Sequence, residues 1–147
     1  MNPSPYIVRK VVRFGHCDPA GIIYYPQYFM LAHDCTEDWL RDGVGYSFKQ
    51  LIADRRGLPI VKLDAEFTRP SRLGDNLDFE ITVRGVGVAS LKLDYRCLCG
   101  EEVRLRLHSV VVMTELDSGA VVRIPDWLRA RLMKFQNPAK DPAIVRP

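Results

Sequence analysis

The hydrophobic pattern of this chain changes period at Pro26, and that change limits what it can fold into. Before it, "YIVRKVVRF" (Tyr6 to Phe14) is β-branched-rich and partly alternating, the pattern of a strand. After it, Tyr28, Leu31, Cys35 and Trp39, joined by Ala32, recur at three- and four-residue steps and mark one face of a helix. Pro26 suits the first turn, where its missing N–H would have had no intrahelical partner. "DGVG" (Asp42 to Gly45) ends the helix. The helix is apolar over much of its circumference, so a sheet is expected to wrap it.

The remainder of the chain supplies that sheet. "SFKQLIADRRG" (Ser47 to Gly57) predicts a shorter amphipathic helix capped by Ser47. Then come strands: "LPIVKLDAEFTRP", "DNLDFEITVRGVG", "VASLKLDYRCLCG" and, after Gly100, "EEVRLRLHSVVVMTELD". Alternation puts Leu91, Leu93 and Tyr95 on one face and Lys92, Asp94 and Arg96 on the other, and His108 is expected to face solvent. "PDWLRARLMKF" predicts a closing helix. The expectation is one domain over 1–147, with its core at about 6–135 and a flexible tail at 136–147. The fold class is α+β, a curved antiparallel sheet around a long central helix.

A single domain of 147 residues buries roughly 68–70% of its unfolded surface, enough for a core without staples. No run approaches the ~18 apolar residues that span a bilayer, and no membrane partner is expected. The first residues carry charges inside their apolar run and no small-residue cleavage pattern, so no signal peptide and a cytoplasmic location are expected. Cys17, Cys35, Cys97 and Cys99 are then free thiols rather than disulfides. A formal charge of +3, without a basic stripe interleaved with aromatics, argues against nucleic acid and suits a small anionic ligand.

The chemistry concentrates in "FGHCDPAGIIYYPQYF", Phe14 to Phe29. Three readings of Asp18 stand. Asp before Pro in D-P-A-G is good turn chemistry, because the carboxylate accepts backbone N–H groups two residues on. A metal site would need paired ligands at short spacings, and His16, Cys17, Asp18, His33 and Cys35 do not supply them. The third reading is catalytic: a carboxylate at a strand-to-helix turn lies near the helix N-terminus. There, free N–H groups around Tyr24 and Tyr25 can hold an oxyanion. Nucleophile or base beside an electrophile clamp serves acyl transfer.

The same residues resemble the signature of the 4-hydroxybenzoyl-CoA thioesterase-type branch of the hotdog-fold acyl-CoA thioesterases, with Asp18, Gly21, Tyr24, Tyr25 and Pro26 in the matching positions. The resemblance implies an enzyme that hydrolyses an acyl-CoA thioester, the acyl group aromatic or short-chain, to a carboxylic acid and free coenzyme A. Asp18 is then the nucleophile or general base, Gly21 lets the backbone turn close to the substrate, and Tyr25 offers its backbone N–H to the thioester carbonyl. It also implies a homodimer, assembling further into a homotetramer, with the site at the subunit interface. No cofactor and no metal is expected, coenzyme A being part of the substrate.

Further substrate contacts are expected from His16, which can tune the carboxylate, from Tyr24 as pocket wall, and from His33 on the central helix. Where some relatives carry an Arg/Lys cluster before a serine, this chain has "GVGVASLKL", so Ser90 matches while Gly87, Val88 and Ala89 replace the cations. Arg69 and Arg72 are then candidates for the nucleotide phosphates, with Lys92 and Arg123 behind them. The departure keeps two alternatives open, an acyl-carrier-protein thioesterase and a non-catalytic acyl-binding module.

Overall fold

The computed structural model describes residues 5–136. Strand β1 (Tyr6–Val11) leads through the 16–24 loop into helix α1 (Pro26–Asp38), whose last turn widens over Trp39–Val44 and stops at Gly45, φ +78°. Helix α2 (Phe48–Ala53) and the short strand β2 (Arg56–Gly57) come next, then β3 (Ile60–Phe67), β4 (Asn76–Val86), β5 (Ser90–Cys99), β6 (Glu102–Val112), β7 (Thr114–Glu115) and helix α3 (Asp126–Met133). Five strands form one antiparallel sheet in the order β1-β4-β5-β6-β3. The meander β4-β5-β6 is thus flanked by the two strands that precede it in sequence. This is the hotdog arrangement.

Register explains why the sheet has a dry face. Cross-strand rows such as Val8–Phe79–Cys97–Leu105–Phe67 and Tyr6–Ile81–Tyr95–Leu107–Ala65 share the side packed against α1. The helix offers Tyr28, Leu31, Ala32, Cys35 and Trp39 in return, all buried and all on the face that the sequence marks. Its opposite face, with Met30, His33 and Asp34, is exposed.

Three local expectations change. The helix from Ser47 stops at Ala53, with its cap intact: Gln50 N–H donates to Ser47 Oγ (3.2 Å) and Ser47 N–H to Gln50 Oε1 (2.8 Å). Arg55 then takes φ +58° and Arg56–Gly57 pair with β7. His108 does not face solvent freely. On the outer face of β6 it hydrogen-bonds Asp94, which is itself buried and paired with Arg84 Nε at 2.8 Å. Of the expected tail, Gln136 is bridged to Val83 and 137–147 lie outside the described residues.

Gly43 shows how tightly the helix end is packed. A Cβ there would stand 2.9 Å from Trp39 Cδ1 and 3.2 Å from the rings of Phe135 and Tyr6. Trp39 is fully buried and cannot retreat. Gly43→Ala is therefore expected to destabilise the protein by about 1–3 kcal/mol, read as a lower urea midpoint at unchanged m.

Candidate active site

The 16–24 segment is a tight hairpin. Asp18 N–H donates to Ile22 O (2.9 Å), Gly21 N–H to Asp18 O (3.0 Å) and Tyr24 N–H to His16 O (3.0 Å). Gly21 sits at φ +77°, the left-handed region that closes this kind of turn and that a side chain strains. The turn reading of Asp18 is physically present: its Oδ1 accepts Ala20 N–H at 2.9 Å. Its second carboxylate oxygen has no hydrogen-bond partner among the described residues. One oxygen shapes the turn and the other is left without a partner among the described residues.

The amides sort themselves in the same way. Tyr24 N–H is consumed by His16 O, so the Tyr24 amide is not part of a clamp. Tyr25 N–H, at the cap of α1, has no acceptor among the described residues. Pro26 has no N–H, and Gln27 and Tyr28 turn theirs back to Tyr24 O and Tyr25 O. The helix therefore presents a free donor at its positively polarised end, at Tyr25. His16 Nδ1 accepts the Arg13 amide at 2.9 Å, so that nitrogen serves the loop and does not touch Asp18.

A second segment, 70–75, is stitched alongside. Ile23 N–H donates to Ser71 O (2.8 Å), Leu73 N–H to Gly21 O (3.0 Å) and Gly74 N–H to Val12 O (2.9 Å). Beneath it lies a network that local sequence does not announce. Arg104 Nη1, from β6, reaches Pro70 O (2.9 Å), Ser71 Oγ (3.2 Å) and Asp75 Oδ2 (2.9 Å), and Tyr28 O–H donates to the same Ser71 Oγ at 2.7 Å. Arg104 Nε stands 2.7 Å from Glu102 Oε1 without hydrogen-bond alignment. Ser71 is fully buried. Arg104, Ser71 and Tyr28 thus position the floor under the Asp18 hairpin.

Asp75 is held below the usual carboxylate range, first by the Arg72 amide and then by Arg104. A depressed folded pKa stabilises the fold above the unfolded value, about 3.9. That contribution is lost as pH falls through the lower folded value. Asp75→Asn should accordingly lower stability at pH 7 by about 1 kcal/mol, and the gap from the parent should narrow in acid. Urea titrations between neutral and strongly acidic pH check this.

Two hollows flank these segments. A cleft of about 220 Å³ is lined by Ile22, Ile23, Tyr25, Tyr28, Phe67 and Arg69 among others, and Asp18 is not in its wall. A larger cavity of about 340 Å³ lies between α1 and the sheet, walled by β5, β6, Phe48 and the edge strand β3. An aromatic partition separates them: the Phe67 ring centroid is 6.1 Å from Tyr25, 5.7 Å from Tyr28 and 6.0 Å from Phe29. His33 stands at the rim of the larger cavity, exposed, with its ring 5.6 Å from Phe48. Tyr24 is half exposed beside Tyr25, centroids 5.6 Å apart. Within the larger cavity, burial pushes the Tyr95 phenol up to about 12, against weaker downward pulls from the Thr36 and Ser109 hydroxyls, so it is neutral.

The basic candidates separate clearly. Arg69 precedes the 70–75 segment and Arg72 lies within it; Arg69 is 4.0 Å from Glu102, and Arg72 makes no ion pair among the described residues. Both guanidinium groups are available to an anion. Arg123 is paired with Asp126 at 3.0 Å, and Lys92 lies on the outer face of the sheet, away from the cavity. Ser90 opens β5 and its carbonyl accepts Gly87 N–H at 2.8 Å. A cation does touch this turn, but from α3: Arg129 donates to Val86 O (3.1 Å) and Gly87 O (2.7 Å). Among the described residues no cluster of His, Cys, Asp or Glu is placed to hold a metal, and no helix is long and apolar enough to cross a membrane.

A curved sheet holding one helix, with a carboxylate hairpin at the helix's positive end, defines a hotdog-type acyl-transfer scaffold. Residues 12–132 match the family model of the Thioesterase-like superfamily, and the chain belongs to that family. It is similar to 1,4-dihydroxy-2-naphthoyl-CoA hydrolase of Synechococcus elongatus, 29% identical over 86% of this chain and 96% of that protein. It is also similar to the enzyme of the same name from Prochlorococcus marinus, 31% identical over 70% of this chain and 74% of that one. Among solved structures, a gentisyl-coenzyme A thioesterase superposes with TM-score 0.79 at 25% identity, covering 86% of this chain and 99% of the other.

Proposed function

We propose that this protein hydrolyses acyl-CoA thioesters, with aromatic acyl groups as the preferred class. The reading is carried by one observation: the same strand-to-helix hairpin holds a carboxylate oxygen without a partner on Asp18 and an amide without a partner on Tyr25. The Tyr25 N–H would hold the thioester oxygen as negative charge grows on it, a contact that strengthens toward the transition state. Asp18 would attack the carbonyl carbon, expelling the coenzyme A thiolate, which takes a proton from water, and leaving a mixed anhydride. Water would then cleave the anhydride and regenerate the carboxylate. Alternatively Asp18 would take a proton from the water that attacks directly. Family membership and the names of the aryl-CoA relatives support thioester hydrolysis and the aromatic class.

Arg69 and Arg72 would meet the nucleotide phosphates, being the cations beside the cleft that are not engaged in close ion pairs. His16, Tyr24, His33 and Ser90 would contribute contacts around the substrate rather than chemistry. The test is thiol release from a panel of aromatic, short-chain and long-chain acyl-CoAs, with the same acyl group also offered on an acyl carrier protein. Aromatic CoA thioesters should turn over fastest. The carrier-protein arm matters because positions 87–89 lack cations, and a clear preference for that arm would reassign the thiol carrier. No release across the panel would sink the hydrolytic reading.

The active assembly would be a dimer formed across β3, extending to a tetramer. β3 is an edge strand with an unpaired backbone rim. Its Ile60, Val61, Leu63 and Phe67 are 57%, 62%, 40% and 45% exposed, an apolar strip of the kind that marks an interface. A partner there would also close the cleft that one chain leaves open. Val61→Lys is the sharp test, since an exposed side chain in a monomer tolerates the change within about 0.5 kcal/mol. Light scattering should show the variant shifted to monomer with activity lost; an unchanged mass would place the interface elsewhere.

A further inference from the structure

We infer that two exposed tips beside the Asp18 hairpin dock an acidic carrier protein that brings the acyl group on a pantetheine arm. Carrier-bound thioesters are then a second substrate form beside coenzyme A thioesters. This rests on the hydrolytic reading above and names a partner for that same site. The first tip is the short turn Phe14–His16 that follows β1, and Phe14 at its start is 84% exposed. The second is the 72–74 turn, where Leu73 is 52% exposed. The two run side by side: Val12 N–H donates to Asp75 O (2.8 Å) and Gly74 N–H to Val12 O (2.9 Å). Both are also tied to the hairpin, through Cys17 N–H on Phe14 O (3.1 Å) and Leu73 N–H on Gly21 O (3.0 Å). Each tip sets an arginine directly before its apolar side chain, Arg13 before Phe14 and Arg72 before Leu73.

Shape and charge together say what sits there. Phe14 lies in the wall of neither hollow, and a Cβ on the adjacent Gly15 would meet nothing within 4 Å. The tips therefore protrude, whereas a small ligand is held in a concave site. A large aromatic left in water at the end of a turn gains the fold nothing, while aromatic and arginine side chains are the usual anchors of a protein interface. The sign of the partner follows from the ion pairs. Around the start of β4, Asp75 and Asp78 are already held by Arg104 and Arg9, each at 2.9 Å. Arg13 and Arg72 are exposed and make no ion pair among the described residues. The tips are left with uncompensated positive charge, and its complement is an acidic surface. Hydrolysis at Asp18 also keeps the carrier of the thiol outside the hairpin, with only the pantetheine arm reaching in. A protein seated on the two tips stands in that place.

The experiment offers the purified full-length protein one acyl group, the fastest in the thiol-release panel, on pantetheine, on coenzyme A and on an acidic acyl carrier protein. The carrier's kcat/KM should exceed that of pantetheine by at least about tenfold and fall as salt rises, while the pantetheine value stays level. Arg13→Glu and Phe14→Ser change exposed side chains, so Tm and turnover of the pantetheine and coenzyme A thioesters should not move. On the carrier the same variants should lower kcat/KM by at least about tenfold, through KM. A carrier with one acidic residue of its docking helix reversed to lysine should recover part of the turnover with Arg13→Glu. A carrier value no higher than pantetheine's, or one that both variants leave intact, overturns the inference, while the hydrolytic reading stands on the coenzyme A arm. Losses confined to the carrier and coenzyme A arms alike would make the tips a nucleotide contact. Cosedimentation of the parent, but not of Phe14→Ser, with phosphatidylglycerol vesicles would make them a membrane contact. Either result also overturns the inference. If no arm releases thiol, calorimetric binding of the holo carrier protein that Arg13→Glu abolishes would keep the docking surface and remove the hydrolysis, and absence of that binding would remove both.

Discussion

Asp18→Asn should lower kcat by about 10²–10⁴-fold while moving stability by less than about 0.5 kcal/mol. The asymmetry comes from the two oxygens of one side chain. Asparagine keeps an oxygen acceptor for Ala20 N–H, the 2.9 Å bond that shapes the turn, but it cannot attack a carbonyl or take a proton from water. Asp18→Ala is the companion variant. It should lose the turn bond as well, lowering stability by a further ~0.5–1.5 kcal/mol. Steady-state kinetics and urea denaturation on the pair separate chemistry from turn shaping. If the asparagine variant retains parental turnover, the Asp18 carboxylate only shapes the hairpin and the chemistry lies with other groups; no turnover in parent and variant alike would instead describe an acyl-binding module.

The second large effect should come from a residue that touches no substrate. Arg104→Met should destabilise the protein by about 2–4 kcal/mol and depress kcat/KM at temperatures where the variant is still folded. Arg104 is 12% exposed and its Nη1 alone serves Pro70 O, Ser71 Oγ and Asp75 Oδ2. Methionine fills the stem's space but leaves these acceptors, one of them charged, without their donor. The 70–75 segment carries the backbone bonds to Gly21 and Ile23, so its loosening reaches the hairpin that presents Asp18. Arg104→Lys should recover part of the stability, since charge returns, and less of the activity, since an ammonium cannot reproduce the planar guanidinium's reach. A methionine variant as stable as the parent would show that the network is incidental.

The elements are readable from sequence because their signals are local. Helix α1 begins where Pro26 says and buries the stripe of Tyr28, Leu31, Cys35 and Trp39. Ser47 caps its helix through the reciprocal bonds with Gln50, and Gly21 closes the hairpin that D-P-A-G announces. Sequence misleads wherever a cross-strand neighbour decides. His108 looks solvent-facing from alternation, yet it stands opposite Asp94 in the β5–β6 register and hydrogen-bonds it. Tyr24 and Tyr25 look equivalent as amide donors until His16 O claims the first.

The sequence alone determined the family, the α+β class, the hairpin that bears Asp18 and the helix beyond it, because each is marked by residues within a few positions of one another. Only the tertiary structure decided the strand order, the Arg104 and Ser71 floor and the free amide at Tyr25. Those pairings join residues tens of positions apart, such as Ser71 with Arg104. Whether a polar group finds a partner depends on how sheet and helix register, which no single stretch of chain encodes.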